Sequence, residues 1–226
     1  MYHFDFYMPA KVLFGAGRLQ SLHEEKLPGK KALIATTNGK SVKKYGYLAA
    51  LEKELDTAGI AYELFDQIRP NPTSDNVMDG AALAKKTGCD FAIALGGGSV
   101  MDCCKCIALM MTNDGDIWDY SLSVNGGKKQ PAHNAAPIVA NPTSAPTGSD
   151  LMMSVPPKFT AYQGMDAFYH ASESVINKNE HPMGEMFALK AIELIAKYLP
   201  AAYRDGSNKE ARAYVALANT LAGYYM

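Results

Sequence analysis

The sequence predicts an α/β protein, in which a Rossmann-like nucleotide-binding domain with a parallel sheet precedes the start of an all-helical domain. Short apolar runs alternate with helical patterns from Lys31 to Asn141, which is typical of a mostly parallel sheet with helices on both faces. After Pro156-Pro157 the chain shows no convincing strand. We therefore predict domains at residues 1–150 and 151–226, with a boundary at about 150–157.

The first domain reads as a succession of strands and helices. The apolar runs predict strands at 32–35, 61–65, 90–95 and 136–140. The helical patterns predict helices at 41–58, from a cap at 74 or 75 to about 87, and from about 99 to 111. The turn Pro70–Pro72 precedes the second helix, for which Ser74 or Asp75 can serve as the cap. The glycines Gly96–Gly98 stop the third strand before the third helix begins.

The second domain reads as three helices, at 160–177, 183–198 and 208 to the end. Gly206-Ser207 separates the last two, and Asn208 can cap the third. That helix stops on apolar Tyr224-Tyr225-Met226 without a C-cap, so we expect further structure to follow it.

Charge and cysteine content exclude several classes of protein. The 226 residues contain 22 Lys plus Arg and 23 Asp plus Glu, a balance that argues against nucleic-acid binding. No apolar run approaches the ~20 residues that cross a bilayer, so we expect no membrane partner. Three of the four cysteines crowd Cys103–Cys106, which argues against a disulfide framework and for a reduced, cytoplasmic protein.

The Gly96–Ser99 turn lies between a buried strand and a helix. Glycines there allow close approach of a ligand, and the helix N-terminus offers N–H groups to phosphate. The turn lacks the full dinucleotide fingerprint, because Met101 occupies its last glycine position. A tight turn without any ligand is the alternative.

Asp102 and the loop Thr143–Asp150 each allow a structural and a ligand-binding interpretation. Asp102 either complements the helix dipole or holds a ribose hydroxyl or a substrate. The hydroxyl-rich loop Thr143–Asp150 either is solvated or surrounds a pyrophosphate.

Asp166 and His170 are four residues apart in a predicted helix, so their side chains project from one face. Glu173 lies near that face. A carboxylate and an imidazole at this spacing form half of a site for Fe²⁺, Zn²⁺ or Mn²⁺. They are equally spaced for a surface ion pair, and two ligands do not complete a zinc site.

Four motifs, in order and in context, resemble the iron-containing (group III) alcohol dehydrogenase family. They are the PNP turn, GGGSVMDCCK, PTSAPTGSD and GMDAFYHASE, at Pro70–Pro72, Gly96–Lys105, Pro142–Asp150 and Gly164–Glu173. The resemblance covers essentially the whole chain and is nearest to the butanol-dehydrogenase-like and lactaldehyde-reductase-like branches.

The resemblance implies that the first domain binds NADP or NAD. The cofactor-binding residues would be Gly97, Gly98 and Ser99 at the pyrophosphate, Asn71 near the adenosine, and Thr143, Ser144 and Thr147 along the cleft. Asp102 would lie beside the nicotinamide ribose and the substrate, which makes it a candidate catalytic residue as well.

The resemblance also implies that the helical domain binds Fe²⁺ or Zn²⁺ through one Asp and three His. Asp166 and His170 match the first two of these ligands, and His170 is therefore a candidate catalytic residue. The metal would act as a Lewis acid on the oxygen of a small alcohol or aldehyde during hydride transfer.

The turn after the first strand bears on the choice of cofactor. Gly39 stands where NAD-preferring relatives often place an Asp, and Lys40 and Ser41 lie beside it. A small residue, a cation and a hydroxyl would accommodate a 2′-phosphate. We therefore expect NADP to be tolerated or preferred, with Gly39 and Ser41 among the cofactor-binding residues.

We expect the chain to be shorter than the family. It ends at Met226, before the helices that carry the last two histidine ligands, and several tens of residues have no counterpart between Asp150 and Leu151. Pro146 replaces the usual Gly of the family's TxAGTGSE loop, and Asp150 replaces its Glu. Proline removes a donor N–H, and a metal with two ligands would be held weakly.

Three functional hypotheses remain open at this point. The first is a metal-dependent NAD(P)H alcohol dehydrogenase, or a piece of one, working as a homodimer that covers an apolar helix end and an open sheet edge. The second is a shortened, non-catalytic derivative that retains at most nucleotide binding. The third is a relative of glycerol dehydrogenase or dehydroquinate synthase, against which the HASE segment and the TSAPTGSD loop argue.

Overall fold

The computed structural model describes residues 5–143, 153, 155–178 and 181–224. These residues form two units. One comprises Leu19–Thr143, and the other combines the described residues of Met1–Arg18 with those of Ser144–Met226. The first unit is α/β and the second is helical, which confirms the predicted fold class.

A four-stranded parallel sheet forms the centre of the α/β unit. Its strands are β1 (Lys31–Thr37), β2 (Ala61–Ile68), β3 (Phe91–Gly96) and β4 (Ile138–Pro142), in the order β2-β1-β3-β4. The helices are α1 (Ser41–Lys44), α2 (Tyr47–Thr57), α3 (Ser74–Thr87), α4 (Gly98–Thr112) and α5 (Ile117–Tyr120), preceded by a 3₁₀ helix at Leu19–Glu24. All three strand pairs are parallel.

The core of this unit is built around β3, in which every residue is buried. Leu33 and Ala92 belong to a cluster in which Val77 of α3 and Ile107 of α4 are also buried. The neighbouring residues along the strands, which point to the opposite face, are buried as well, including Ile34. A central parallel strand buried on both faces requires the continuous apolar run that predicted it.

One predicted helix is interrupted in the structure. The spacing of Val42 and Leu48 predicted a single helix at 41–58, but α1 and α2 are separated at Gly46, whose φ is +73°. A left-handed residue ends a right-handed helix, and glycine adopts that conformation without a steric penalty. The short helix α5, capped by Asp116, was not predicted.

The helical unit contains three long helices, as predicted: α6 (Pro157–Val175), α7 (Pro182–Arg204) and α8 (Lys209–Ala222). Asn208 caps α8 as predicted, because its side-chain oxygen accepts a 2.9 Å hydrogen bond from the Ala211 N–H. Helix α6 packs closely on α7, since a Cβ added at Gly164 would lie 2.4 Å from Leu199.

Helix α7 is longer than the sequence indicated. The prediction ended it near Tyr198, before Pro200, but the helix continues to Arg204. A proline inside a helix removes one backbone hydrogen bond and crowds the preceding turn. Leu199 and Ala202 are both buried in the core that α7 shares with α6 and α8, and this burial offsets the cost.

Arg212 of α8 is a buried cation that joins three parts of the helical unit. Its guanidinium donates to Thr160 Oγ1 at 2.7 Å, to the Val155 carbonyl at 2.8 Å and to the Gly206 carbonyl at 3.1 Å. Burial lowers the pKa of Arg212. These three acceptors replace the water that a buried guanidinium loses.

The first described residues pack on the helical unit, although the sequence analysis placed them with the first domain. The Phe6 ring lies 5.9 Å from the ring of His181 and 6.0 Å from that of Phe187. The predicted boundary at 150–157 falls largely outside the described residues and stays a prediction. No helix within the described ranges is long and apolar enough to span a bilayer.

Replacing Asp90 by Asn tests how the start of β3 is tied to the start of β1. The Asp90 carboxylate accepts hydrogen bonds of 2.8–3.0 Å from the N–H groups of Lys30 and Lys31. Burial alone would raise the pKa of Asp90, but these hydrogen bonds lower it overall. We expect Asp90→Asn to lower the free energy of unfolding at pH 7 by about 1 kcal/mol, measured by urea denaturation.

The pH dependence has a defined sign. A carboxylate with a lowered folded pKa stabilises the protein above its unfolded pKa of ~3.9 and loses that effect as the pH falls through the folded value. The difference between the wild type and Asp90→Asn should therefore shrink below about pH 4. Asp114→Asn is the control, because the Asp114 side chain is fully exposed. Equal stability of the wild type and Asp90→Asn at pH 7 would contradict this account.

Candidate functional site

The carboxyl ends of all four strands meet at one edge of the sheet, and each is followed by a segment that the sequence analysis singled out. Gly39 and Ser41 follow β1, Asn71 follows β2, the glycine turn follows β3, and Thr143 follows β4. The strand order reverses direction between β1 and β3. Open parallel sheets bind ligands at such a switch point, outside the carboxyl ends of the strands.

The turn between β3 and α4 depends on its glycines. A Cβ at Gly96 would lie 2.5 Å from the Val100 side chain, so no larger residue fits there. Gly97 is the extended N-cap of α4 and provides no side-chain cap. Gly98 is exposed, and a Cβ added to it would meet no atom within 4 Å. Open space therefore adjoins Gly98 in the first turn of α4, where helices leave N–H groups without an intrahelical partner.

Hydrogen bonds bring two neighbouring segments to this turn. The Asn71 N–H donates to Ser99 Oγ at 3.4 Å, and the Thr143 N–H donates to the Gly96 carbonyl at 2.8 Å. Asn71 has a positive φ of 53°, a conformation that Asn tolerates better than most residues. The structure thus gathers three residues that the sequence analysis assigned to a cofactor.

Gly39 and Ser41 lie at the same edge, in the exposed turn from β1 into α1. The Gly39 N–H donates to Thr37 Oγ1 at 3.2 Å. Among the cations of this segment, Lys43 forms an ion pair with Asp66 at 2.5 Å, whereas Lys40 has no ion-pair partner among the described residues.

Asp102 lies in the second turn of α4, five residues from its N-cap Gly97. Its carboxylate is exposed and lies 3.4 Å from Lys105 Nζ. Ser144 and Thr147, together with Pro146 and Asp150, fall outside the described residues, so their roles stay predictions.

Asp166 and His170 lie one turn apart on α6, as their spacing predicted. His170 Nε2 is 3.5 Å from Asp166 Oδ2, and both side chains are accessible to solvent. Two ligands at ~2.1 Å from a metal in tetrahedral geometry lie ~3.4 Å apart, so this pair fits one edge of a metal site. The separation also matches the surface ion pair that the sequence analysis considered.

The described residues contain no group of three or more His, Cys, Asp or Glu side chains that could hold a metal. The other described histidines have different contacts. His181 caps α7 by accepting the Gly184 N–H at 3.2 Å, and His23 Nδ1 lies 2.6 Å from Glu54 Oε2. The contact between His23 and Glu54 could not be predicted from local sequence spacing, because the two residues are 31 positions apart.

All four cysteines are described, and all are free thiols. Burial raises the pKa of Cys103 and Cys104 to about 12. Burial also raises the pKa of Cys106 and of Cys89. The crowded thiols on α4 belong to the core or pack against it, as does Cys89.

A polar cavity of about 370 Å³, which the sequence analysis missed, lies beside the turn after β1. It is lined by Asn38, Asp66, Gln67, Arg69, Thr73, Asp75, Asn76 and Asp79. None of the predicted cofactor-binding residues lines it. Three carboxylates against one guanidinium disfavour a phosphate, so we do not place a dinucleotide in this cavity.

Comparison with known proteins relates both parts of the chain to one family. Residues 9–154 match the family described as iron-containing alcohol dehydrogenase. Residues 160–226 match the family described as Fe-containing alcohol dehydrogenase, C-terminal.

Individual relatives agree with this match. Alcohol dehydrogenase 4 of Schizosaccharomyces pombe is 34% identical over 253 residues, covering 96% of this chain and 58% of the relative. An archaeal halo-thermophilic Red Sea brine pool alcohol dehydrogenase has a TM-score of 0.91 and 30% identity, covering 100% of this chain and 66% of that structure. Sulfoacetaldehyde reductase from Bifidobacterium kashiwanohense, in complex with NAD⁺, has a TM-score of 0.86 and 29% identity, and the match covers 100% of this chain and 67% of that structure.

The chain spans about three fifths to two thirds of the length of these relatives. The match to the Schizosaccharomyces pombe protein extends over 253 residues, although this chain has only 226. That relative therefore carries residues without a counterpart here, in agreement with the predicted internal shortening. The predicted position of the shortening, after Asp150, lies outside the described residues and stays a prediction.

Adding a methyl group at Gly98 tests whether the open space before α4 is a ligand site. We expect Gly98→Ala to fold with an unchanged or slightly raised melting temperature, since the added Cβ meets no protein atom and Ala favours helix. Its affinity for NADH or NADPH should fall at least tenfold, measured by fluorescence titration, because the methyl group occupies the space of the phosphate. Gly88→Ala, in a left-handed helix cap away from this edge, is the control: it should lower stability and leave affinity unchanged. Undiminished cofactor binding by Gly98→Ala would remove the turn from the site.

Proposed function

Because the chain belongs to the iron-containing alcohol dehydrogenase family, we propose that it transfers a hydride between a nicotinamide dinucleotide and a small alcohol or aldehyde. The observation that carries this proposal is the gathering of Asn71 and Thr143 around the glycine turn at the N-terminus of α4. A helix N-terminus with accessible N–H groups attracts a pyrophosphate. The similarity to alcohol dehydrogenases supports the reaction class.

In this proposal the pyrophosphate binds at Gly97, Gly98 and Ser99. The open face of Gly98 allows the close approach of phosphate oxygens, and the dipole of the 15-residue helix α4 favours their charge. Asn71 contacts the adenosine side, while Thr143 lines the cleft with Ser144 and Thr147. The NAD⁺ complex of the related sulfoacetaldehyde reductase supports a nicotinamide cofactor.

We assign two residues of α4 to the reacting part of the cofactor. The exposed carboxylate of Asp102 can accept a hydrogen bond from a ribose hydroxyl or from the substrate hydroxyl, which orients the carbon that exchanges hydride. Lys105 Nζ lies 3.4 Å from that carboxylate and helps to orient it. Hydride transfer also requires the protein to exclude water and to align the nicotinamide C4 with the reacting carbon of the substrate.

Asp166 and His170 would hold the divalent metal, Fe²⁺ or Zn²⁺. Their separation of 3.5 Å and the pairing of a carboxylate oxygen with an imidazole nitrogen support this assignment. When bound, such a metal polarises the oxygen of an alcohol or carbonyl group as a Lewis acid.

A second candidate is a non-catalytic derivative that retains nucleotide binding. The specific observation in its favour is the pair of donors on α6, to which the described residues add no third ligand. Catalysis by this chain would then require ligands from elsewhere. Nucleotide binding at α4 does not depend on the metal, so the two candidates differ only in turnover.

We further propose that the protein acts in the cytoplasm as a homodimer. The four free thiols support a reducing compartment. The strands β2 and β4 form the two edges of the described sheet, and an open edge supports association with a second copy.

The turn after β1 generates a prediction about cofactor choice. The turn itself contains no carboxylate, although three carboxylates line the neighbouring cavity, and Lys40 has no ion-pair partner among the described residues. We expect NADPH to bind at least as tightly as NADH, and Lys40→Ala to weaken NADPH about tenfold without changing NADH. Lys44→Ala is the matched control, because the Lys44 ammonium lies over the Tyr45 ring. NADH binding with much weaker NADPH binding would contradict the assignment.

The metal assignment and the reaction are tested together. We expect the purified chain to bind NADPH, and added Fe²⁺ or Zn²⁺ to stimulate aldehyde-dependent oxidation of the cofactor. Calorimetric titration with Zn²⁺ should show at least tenfold weaker binding to His170→Ala, and no change for His133→Ala, which removes an exposed imidazole. Cofactor binding without metal-stimulated turnover would favour the non-catalytic candidate. If His170→Ala and the wild type bind Zn²⁺ with equal affinity, the assignment of His170 as a metal ligand is wrong.

A further inference from the structure

One buried donor at the carboxyl edge of the sheet has no partner. The side-chain nitrogen Nδ2 of Asn141, on β4, is fully buried and forms no hydrogen bond. Among the described residues the only other such atom is Oε1 of Gln163, in the helical unit. A buried amide without a partner loses its bonds to water and gains none in return, so native proteins rarely retain one.

The sheet register fixes where this donor lies. Asn141 is in register with Leu95 of β3, which is in register with Thr36 of β1. In parallel strands, residues in register point to the same face. The Thr36 hydroxyl is satisfied, because it donates to the Leu95 carbonyl at 2.7 Å. Asn141 is the polar side chain of this row that lacks such an acceptor.

The row lies next to the proposed cofactor site. Leu95 and Asn141 immediately precede the pair formed by Gly96 and Pro142, with which the strands end. The face that packs with α4 is formed by the alternate residues, such as Ala92 and Ala94. Asn141 therefore points to the face of the sheet opposite α4. It lies near the end of β4, and β4 and β1 lie on opposite sides of β3 and its glycine turn.

The chemistry of the donor selects part of the cofactor. A dinucleotide at a switch point extends to both sides of its pyrophosphate. With the adenosine half at the turn after β1, the nicotinamide half lies on the side of β4. An amide N–H donates to a neutral oxygen, such as a ribose hydroxyl or the carboxamide carbonyl of nicotinamide.

We propose that Asn141 is a cofactor-contacting residue whose Nδ2 donates a hydrogen bond to an oxygen of the nicotinamide half of the dinucleotide. This inference rests on the proposed function, since it requires a dinucleotide at the glycine turn. It accounts for a buried donor that the protein alone leaves unsatisfied.

The test compares NADPH with 2′,5′-ADP, which lacks the nicotinamide half. Asn141→Leu removes the donor and keeps a similar shape. We expect it to weaken NADPH about tenfold, to change the affinity for 2′,5′-ADP less than twofold, and to raise the melting temperature of the cofactor-free protein, because the unsatisfied donor is gone. Ile138→Thr, on β4 in register with Ala92, is the control and should leave both affinities unchanged.

Asn141→Ser provides a second variant, which introduces no bulk and retains a smaller donor. We expect an intermediate loss of NADPH affinity. NADPH binding by Asn141→Leu or Asn141→Ser equal to the wild type would overturn the inference and leave the proposed function standing, as would an equal loss for NADPH and 2′,5′-ADP. A wild-type chain that binds neither compound would instead overturn the proposed function, and this inference with it.

Discussion

The abrupt passage from β3 into α4 is the constraint on which the rest of the α/β unit depends. Gly96 is pressed so closely against Val100 that a Cβ would lie 2.5 Å from that side chain, so the strand can enter the helix within two residues only if its last position is glycine. The carbonyl groups of Leu95 and Gly96 accept hydrogen bonds from Thr36 and Thr143, which fixes the neighbouring strands at the same point. Helix α4 consequently begins at the edge of the sheet while its later turns fill the core. Core packing and the position of the candidate site are therefore two results of one backbone geometry.

The two units prepare their candidate sites by different means. At the glycine turn the backbone itself provides the donors, and small side chains leave room for a ligand. On α6 the donors are side chains, held one turn apart by the helix, while Gly164 and Ala167 on the buried face pack the helix into the core. A backbone site tolerates changes in the rest of the protein as long as the turn persists. A side-chain site needs every ligand, and Asp166 and His170 supply only two.

Much of this fold could be predicted because its signals are local. The apolar run of β3, the glycines after it and the capping Asn208 each act on their immediate neighbours. The interruption at Gly46 could not be predicted, because glycine is able to adopt the left-handed conformation but is not required to adopt it. The continuation of α7 through Pro200 could not be predicted either, since it depends on packing against helices that are separate in sequence. The same reason explains the site. The residue pattern indicated the glycine turn and the family resemblance indicated Asn71, but neither indicated the polar cavity, whose lining comes from the ends of β1 and β2 and the start of α3. The unsatisfied amide of Asn141 becomes visible only when the sheet register is known.

The buried thiols of α4 have a consequence for the uptake of metal ions. Cysteine binds iron or zinc as a thiolate, so a thiol must lose its proton before it can compete for the ion. With the pKa of Cys103 and Cys104 at about 12, almost no thiolate exists at neutral pH, even though three cysteines lie within four residues. Burial thus prevents these thiols, which lie only a few residues from the glycine turn, from binding a metal ion as thiolates. In the proposed metal site, the imidazole and the carboxylate on α6 therefore do not compete with these thiols for the ion, and the cysteines serve as core residues.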